Sequence, residues 1–431
     1  MSEISKRILG SLNPVLFAVF FYFVLVLGRG CTLVASIDPR DNIFGLFLFC
    51  SACAVLIMNL KRPLFTRNLV LVLAAVILWV GLHFIKDSDF QYFTYFQFIA
   101  YIIAGYLIAR VYGYNFVNYY EQTVFILSAV SLLFWAVELI LGPHTFGSLA
   151  FIPQTYGKDG GSFLIYTVLD SDYEGNFFMG LVRNCGFAWE PGRYASLLVI
   201  ALFFNRLRSP KKLLNLHSIV MLVALLSTFS TTGYIALLLM WAIDQLFARK
   251  TPVWFKVAVF AILAIVVAAG SSLSFISPKI SGLMNRDAFV SENLANYGAD
   301  DIWTVDRFEG MLLDAYNFIH DPIFGYGLAQ QDQYIYESIS DILNTSNGII
   351  KPLAQYGVLL GIPFFIFFYL GTAKLCKAFG YRRPWLLFLV LMTVSVSYSF
   401  EQDPLIRAIS LFSLFHYVPM RRRQLKLHGI K

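Results

Sequence analysis

Long apolar runs alternate with short polar connectors along most of this chain. A run of roughly 18 or more mostly apolar residues can cross a bilayer as a helix. The pattern predicts about twelve spans, at roughly 12–28, 42–60, 68–85, 93–111, 122–141, 193–206, 215–229, 231–248, 253–271, 357–376, 384–399 and 405–420. Alternating segments of ~10 residues, the mark of a membrane barrel, are absent. The predicted fold is an all-α polytopic membrane protein. Two polar intervals, about 142–192 and 272–356, interrupt the pattern. They divide the chain into 1–141 with five spans, the loop 142–192, 193–271 with four spans, the loop 272–356, and 357–431 with three spans and a basic tail. The seventh and eighth spans meet at Ser227-Thr228-Phe229-Ser230-Thr231-Thr232-Gly233, which reads as a tight turn or as a mid-helix kink.

Composition agrees with this pattern. The 431 residues are 58% hydrophobic and 14% charged, against about 45–50% and about 25% in soluble domains. Lys6 and Arg7 precede the first apolar run as in a signal peptide, but no small-x-small cleavage site follows, so a retained span is predicted. The net charge of +7 does not mark a nucleic-acid surface. Its basic residues gather in the short connectors of one side, as the positive-inside rule expects. These connectors hold Lys61, Arg62 and Arg67, then Arg206 to Lys212, then Arg249 to Lys256, then Lys374 to Arg383. Both termini are therefore expected in the cytoplasm, with both large loops on the other side. One span across 215–248 would separate two basic connectors, which favours two spans there. Few ionisable residues lie mid-span, and Glu138 and Asp244 sit near span ends. No row of intramembrane charges suggests a coupled transporter or flippase. Cys50 and Cys53 share an apolar helix face, where Cys serves as a small hydrophobe. Cys31 and Cys185 fall on one side, where a disulfide is chemically open.

Candidate chemistry concentrates in the two loops. The first ends Arg183-Asn184-Cys185-Gly186-Phe187-Ala188-Trp189-Glu190-Pro191-Gly192-Arg193, directly before a span. Two arginines at a membrane surface suit a lipid pyrophosphate, because guanidinium binds phosphate through two donors. Arg and Trp also anchor span ends at headgroups. In the second loop, Asp306-Arg307-Phe308-Glu309 fits a capping box. Phe308, Met311, Leu312, Ala315 and Ile319 then follow helical spacing, which predicts an amphipathic helix over 307–319. Arg307 in its first turn suits an anion, or pairs with a neighbouring acid. His320-Asp321-Pro322-Ile323-Phe324-Gly325-Tyr326-Gly327 follows, with His320 a candidate base or a polar loop contact. Asn347 and Lys351 precede the tenth span, either to reach glycan or phosphate or simply to start a helix. Asp87-Ser88-Asp89 and Asp170-Ser171-Asp172 have the spacing of acidic pairs that hold a divalent metal. Tyr156, Tyr166, Tyr173, Trp189, Trp303, Tyr334 and Tyr336 suit stacking on sugars or ordinary packing.

Arg307 before the amphipathic helix, His320 to Gly327, Asn347, and Gly357 and Gly361 at a span resemble the O-antigen polymerase/ligase superfamily. The Arg183 to Gly192 segment and the Ser/Thr turn at 227–233 resemble polysaccharide polymerases. The resemblance implies a metal-independent, GT-C-like glycosyltransferase of the bacterial inner membrane, with no cofactor and a periplasmic active site. Its substrates would be undecaprenyl-pyrophosphate-linked oligosaccharides within the lipid membrane, with chain-length regulator and flippase proteins as partners. It implies Glu190, His320 and Arg307 in catalysis, and Arg183, Arg193, Asn347 and Lys351 in binding pyrophosphate or glycan. Ligases carry a His beside the Asn before the tenth span. Ser346 stands there, which favours a polymerase. Polymerases often carry Arg after the Ser of the turn motif; Thr231 fills that place.

Overall fold

The computed structural model describes residues 13–29, 37–39, 42–61, 63–86, 90–142, 145, 152–153, 160–169, 177–178, 180–209, 214–247, 252–258, 307–328, 347–396, 398–399 and 403–414. Helices α1 (Pro14–Gly28), α2 (Ile43–Met58), α3 (Arg67–Lys86), α4 (Tyr92–Tyr112) and α5 (Phe116–Leu141) come first. Then follow α6 (Pro191–Arg208), α7 (Leu216–Ser227), α8 (Thr231–Leu246), α9 (Arg307–His320), α10 (Ile350–Ala378), α11 (Leu386–Ser395) and α12 (Pro404–Leu411). Residues 253–258 are also helical, and the rest of the predicted ninth span lies outside the described residues.

Local chemistry starts and stops these helices. Asn13 caps α1, with Pro14 in the first turn, where its missing N–H leaves no helical bond unmade. Asn42 caps α2 by accepting from Gly45 N at 2.6 Å. Asn215 and Ser218 form a reciprocal capping box at the start of α7. Large apolar side chains face outward, among them Ile43, Ile85 and Ile140, each more than 80% exposed. An outer surface of this kind suits lipid rather than water. Among the described residues, three helical stretches, Arg67–Lys86, Tyr92–Leu141 and Ile350–Ala378, are long and apolar enough to cross a membrane. The chain is a mostly helical membrane protein.

At the centre stands α6, buried at every residue from Pro191 to Asn205. Helices α5, α7 and α8 pack around it, and α12 packs on α4 and α10. Polar contacts gather at two ends. At one, Arg208 pairs with Glu121, and Asp244 with Arg206 and Arg383. At the other lie Arg183, Arg193, Asn347 and Asp403. The join at 227–233 is a turn between two helices: Phe229 has φ 46°, and Ser230 caps α8.

The structure corrects the purely helical expectation. The first loop contains the antiparallel sheet β1 (Ile152–Pro153), β2 (Gly160–Phe163) and β3 (Tyr166–Leu169), and the pair β4 (Phe177–Phe178) and β5 (Leu181–Val182). Aromatic and β-branched side chains at Tyr166, Thr167 and Val168 favour the extended backbone. Thr167 ties β3 to the segment before α6, donating its N–H to Gly186 O at 2.8 Å and its hydroxyl to Ala188 O at 2.7 Å.

The tenth span also differs from expectation. Helix α10 begins at Ile350, and Gly357 is a break within it, at φ 61°, ψ −171°. The loop after α9 is spliced into the break. Tyr326 N donates to Ala354 O at 2.9 Å and Gly327 N to Gln355 O at 3.1 Å. On the far side, Val358 N donates to Pro322 O at 2.8 Å and Leu359 N to Ile323 O at 3.2 Å. Backbone groups that the break would strand are thereby paired, which an apolar surrounding demands. The loop is seated on α3, where Trp79 Nε1 donates to Phe324 O at 2.9 Å and Lys86 pairs with Asp321. Trp79, Tyr95, Tyr356 and Leu328 form the apolar cushion beside it.

A Cβ on Gly357 would overlap the carbonyl of Ile323, and its backbone conformation is essentially glycine-only, costing another residue on the order of 1–3 kcal/mol. Gly357→Ala should lower the detergent-solubilised melting temperature and the yield of folded protein. A wild-type melting curve would contradict the splice.

Candidate functional site

The site end is built around the first turn of α6. Glu190 takes the N-cap position in extended conformation, and Pro191 begins the helix. This turn points Arg193 inward. Its Nε and Nη2 donate to Leu27 O at 2.9 and 2.7 Å, and Nη2 reaches Asp403 Oδ2 at 3.1 Å. Leu27 lies in the last turn of α1, where a cation is favoured; Asp403 is the N-cap of α12, where an anion is favoured. The guanidinium thus fastens three helix ends together.

Neighbouring segments converge on this turn. Gly192 lies so close to Tyr398 Oη that a Cβ would overlap it, and Ser230 Oγ is 3.5 Å from the same point. Asn347 and Gly348 are clamped to the segment that carries Tyr398. Asn347 Nδ2 donates to Val396 O at 3.1 Å, and Gly348 N to Ser395 O at 2.7 Å. Asn347 Oδ1 accepts from Ile349 N and Ile350 N at 2.9 and 2.8 Å, so this side chain starts α10. The structure therefore realises the helix-start alternative for Asn347.

Arg183 approaches from the first loop. It donates Nε to Thr228 O at 3.2 Å and Nη2 to Phe229 O at 3.3 Å, at the C-terminal end of α7. Next to it, Asn184 N bonds Ser227 O at 3.0 Å, and its side chain links Ser131 and Ser227. Arg183, Glu190, Arg193, Ser230, Tyr398 and Asn347 are thus joined by an unbroken chain of contacts or by adjacency in sequence. Lys351 and Gln355 are buried on the first half of α10, next to the splice.

The expected site residues divide physically. Arg193 is 3% exposed and engaged by Leu27 and Asp403, so direct contact with a pyrophosphate meets a buried, committed side chain. Arg183 and Glu190 are half-buried. His320 is exposed at the end of α9, where Nδ1–H donates to Tyr316 O at 2.9 Å and its ring lies 4.2 Å from that of Tyr316. Arg307 opens α9, as expected; Asp306 lies outside the described residues.

Tyr166 does not meet the stacking expectation. It is 1% exposed and donates to Glu138 Oε2 at 2.5 Å. Burial and the adjacent carboxylate push its phenol well above the ordinary value, so it remains a neutral donor in the core. Trp189 is half-buried, and the other aromatic candidates lie outside the described residues, as do both Asp-x-Asp triplets and Cys31. Among the described residues, no three His, Cys, Asp or Glu side chains gather as a metal site.

Sequence reasoning missed Asp403, Tyr398, Lys86 and Trp79. Asp403-Pro404 did carry a signal: an N-cap acid followed by proline at the edge of an apolar run. Tyr398 carried none, because its role is proximity to a glycine far away in sequence.

Residues 216–365 match the family model described as O-antigen ligase. This supports the O-antigen polymerase/ligase superfamily. The match runs from α7 through the splice at Gly357 and leaves out the Arg183–Arg193 segment. No curated protein matches the chain.

Removing one partner of a buried ion pair costs roughly 3–5 kcal/mol. Asp403→Ala should therefore strongly lower the melting temperature; an unchanged value would remove Arg193–Asp403 as the hub. Gly192→Ala should also destabilise, and adding Tyr398→Phe should recover much of the loss. Equal stability of the single and double variants would refute that contact.

Proposed function

We propose that the protein is a polysaccharide polymerase. It would transfer a glycan from undecaprenyl pyrophosphate to the non-reducing end of a second lipid-linked repeat unit. The observation that carries this reading is the convergence of the Arg183–Arg193 segment with Asn347 and the 227–230 turn, beside the spliced 321–327 loop. Serine at position 346, where the ligases have histidine, favours polymerisation over ligation. Delivery to lipid A–core is the second reading, favoured by the description of the matching family.

In this reading the chain crosses the bacterial inner membrane twelve times, with both termini cytoplasmic and the site facing the periplasm. The N-terminal ends of α6 and α12 meet, and the C-terminal ends of α6 and α8 meet the N-terminal ends of α5 and α11, which supports alternating spans. An acceptor hydroxyl attacks the anomeric carbon of the donor sugar. Its proton passes to Glu190 or His320, the bond to pyrophosphate oxygen breaks, and undecaprenyl pyrophosphate leaves. The pyrophosphate is already an activated leaving group, so fixed guanidiniums can stabilise its growing charge. Arg183 and Arg307 take that role, and Lys351 supports glycan or phosphate. Arg193 acts as a positioning residue, because burial assigns its guanidinium to Leu27 and Asp403.

Deleting the gene should abolish the polysaccharide ladder while a single repeat unit persists on lipid A–core. Loss of all capping would instead indicate a ligase. Arg307→Ala should reproduce the deletion phenotype in an inserted protein, with a rate loss of about 10²–10³-fold, and Arg307→Lys should rescue poorly because it lacks the two-donor fork. A wild-type ladder in Arg307→Ala would refute its assigned role.

A further inference from the structure

A cavity of about 420 Å³ opens between α6, α7 and α8. It falls within the roughly 300–1,000 Å³ range of sites that enclose small ligands. Its walls are predominantly apolar: Leu222 and Leu226 from α7, Leu237 and Trp241 from α8. Along α8 it extends from Tyr234 to Asp244, about 15 Å at the helical rise. An elongated apolar trough of this size fits one hydrocarbon chain.

Its polar lining is unevenly placed. Arg206 and Asp244 line the end away from the Arg193 hub. Asp244 Oδ2 lies 3.4 Å from Arg206 Nε, while Oδ1 pairs with Arg383 and accepts from Tyr381 Oη at 2.7 Å. Two guanidiniums share one carboxylate, so the cluster is net positive at the mouth of an apolar trough. An amphiphile with an anionic head and a hydrocarbon tail complements both features.

We propose that this groove binds an anionic glycerophospholipid, with one acyl chain between α7 and α8 and the phosphate beside Arg206. The donor lipid of the proposed reaction fits less well. Its pyrophosphate belongs at the Arg183 end, and a tail lying in this groove with its head at Arg206 would reverse that orientation. The groove is thus a second lipid site, separate from the one at which glycan transfer is proposed.

The test is native mass spectrometry of the full chain, delipidated in mild detergent and then offered equal phosphatidylglycerol and phosphatidylethanolamine. Wild type should retain phosphatidylglycerol preferentially. Leu222→Trp, which fills the trough, should lose the bound lipid while keeping a wild-type melting curve; Leu222→Phe provides a second, milder filling variant. Arg206→Gln should lose about tenfold in preference for the anionic lipid, the scale of one charged contact, and Arg206→Lys should retain it. Equal retention in the filling variants, no headgroup preference in wild type, or capture of added undecaprenyl phosphate at the expense of phosphatidylglycerol would each overturn the assignment. Polysaccharide ladder length, measured in parallel on Leu222→Phe, separates failure of this site from failure of the polymerase reading.

Discussion

A helix broken in an apolar surrounding strands backbone groups that water cannot reach, and the architecture depends on how that need is met at Gly357. The break exposes the carbonyls of Ala354 and Gln355 and the amides of Val358 and Leu359. Residues 322–327 satisfy all four with their own backbone. Each stranded buried group would cost about 1–3 kcal/mol, so the loop and the broken helix can exist only together. The loop is in turn seated by Trp79 and Lys86 of α3. A motif that looks like a flexible turn in sequence is therefore a rigid structural insert.

The same constraint holds at the first turn of α6. Arg193 would be prohibitively expensive to bury alone. It is tolerated because a helix C-terminal carbonyl and a helix N-cap carboxylate both meet it. That arrangement fixes the ends of α1, α6 and α12 relative to one another. Arg183 then reaches the 228–229 carbonyls from a loop whose course is held by the short sheet and by Asn184. Structural charge and candidate catalytic charge thus lie side by side, and burial separates their roles.

Charge is also divided between the two ends of the bundle. One end pairs Arg193 with Asp403, and the other gathers Glu121, Arg208 and His217 in one group and Asp244, Arg206 and Arg383 in another. Between them the surface is apolar and outward-facing. This is the distribution expected of a bundle with lipid around its waist and polar phases at its caps.

Much of this was legible in the sequence. Among the described residues, apolar runs located most of the helices to within a few residues, because hydrophobic length is a local property that lipid thickness selects; α5 and α10 begin six and seven residues before their apolar runs. The helix from Arg307 depends on neighbours within a few turns, so local pattern sufficed there too. The splice at Gly357, the Arg193–Asp403 pair and the Gly192–Tyr398 approach were not legible. Each joins residues distant in the chain, and no periodicity records such a partnership. By itself the sequence determined a helical membrane protein with two polar intervals, which carry the candidate arginines Arg183 and Arg307. Tertiary structure alone decided which arginine is buried as a fastener and that Asn347 begins a helix, because burial and backbone pairing depend on what other segments bring to the same place.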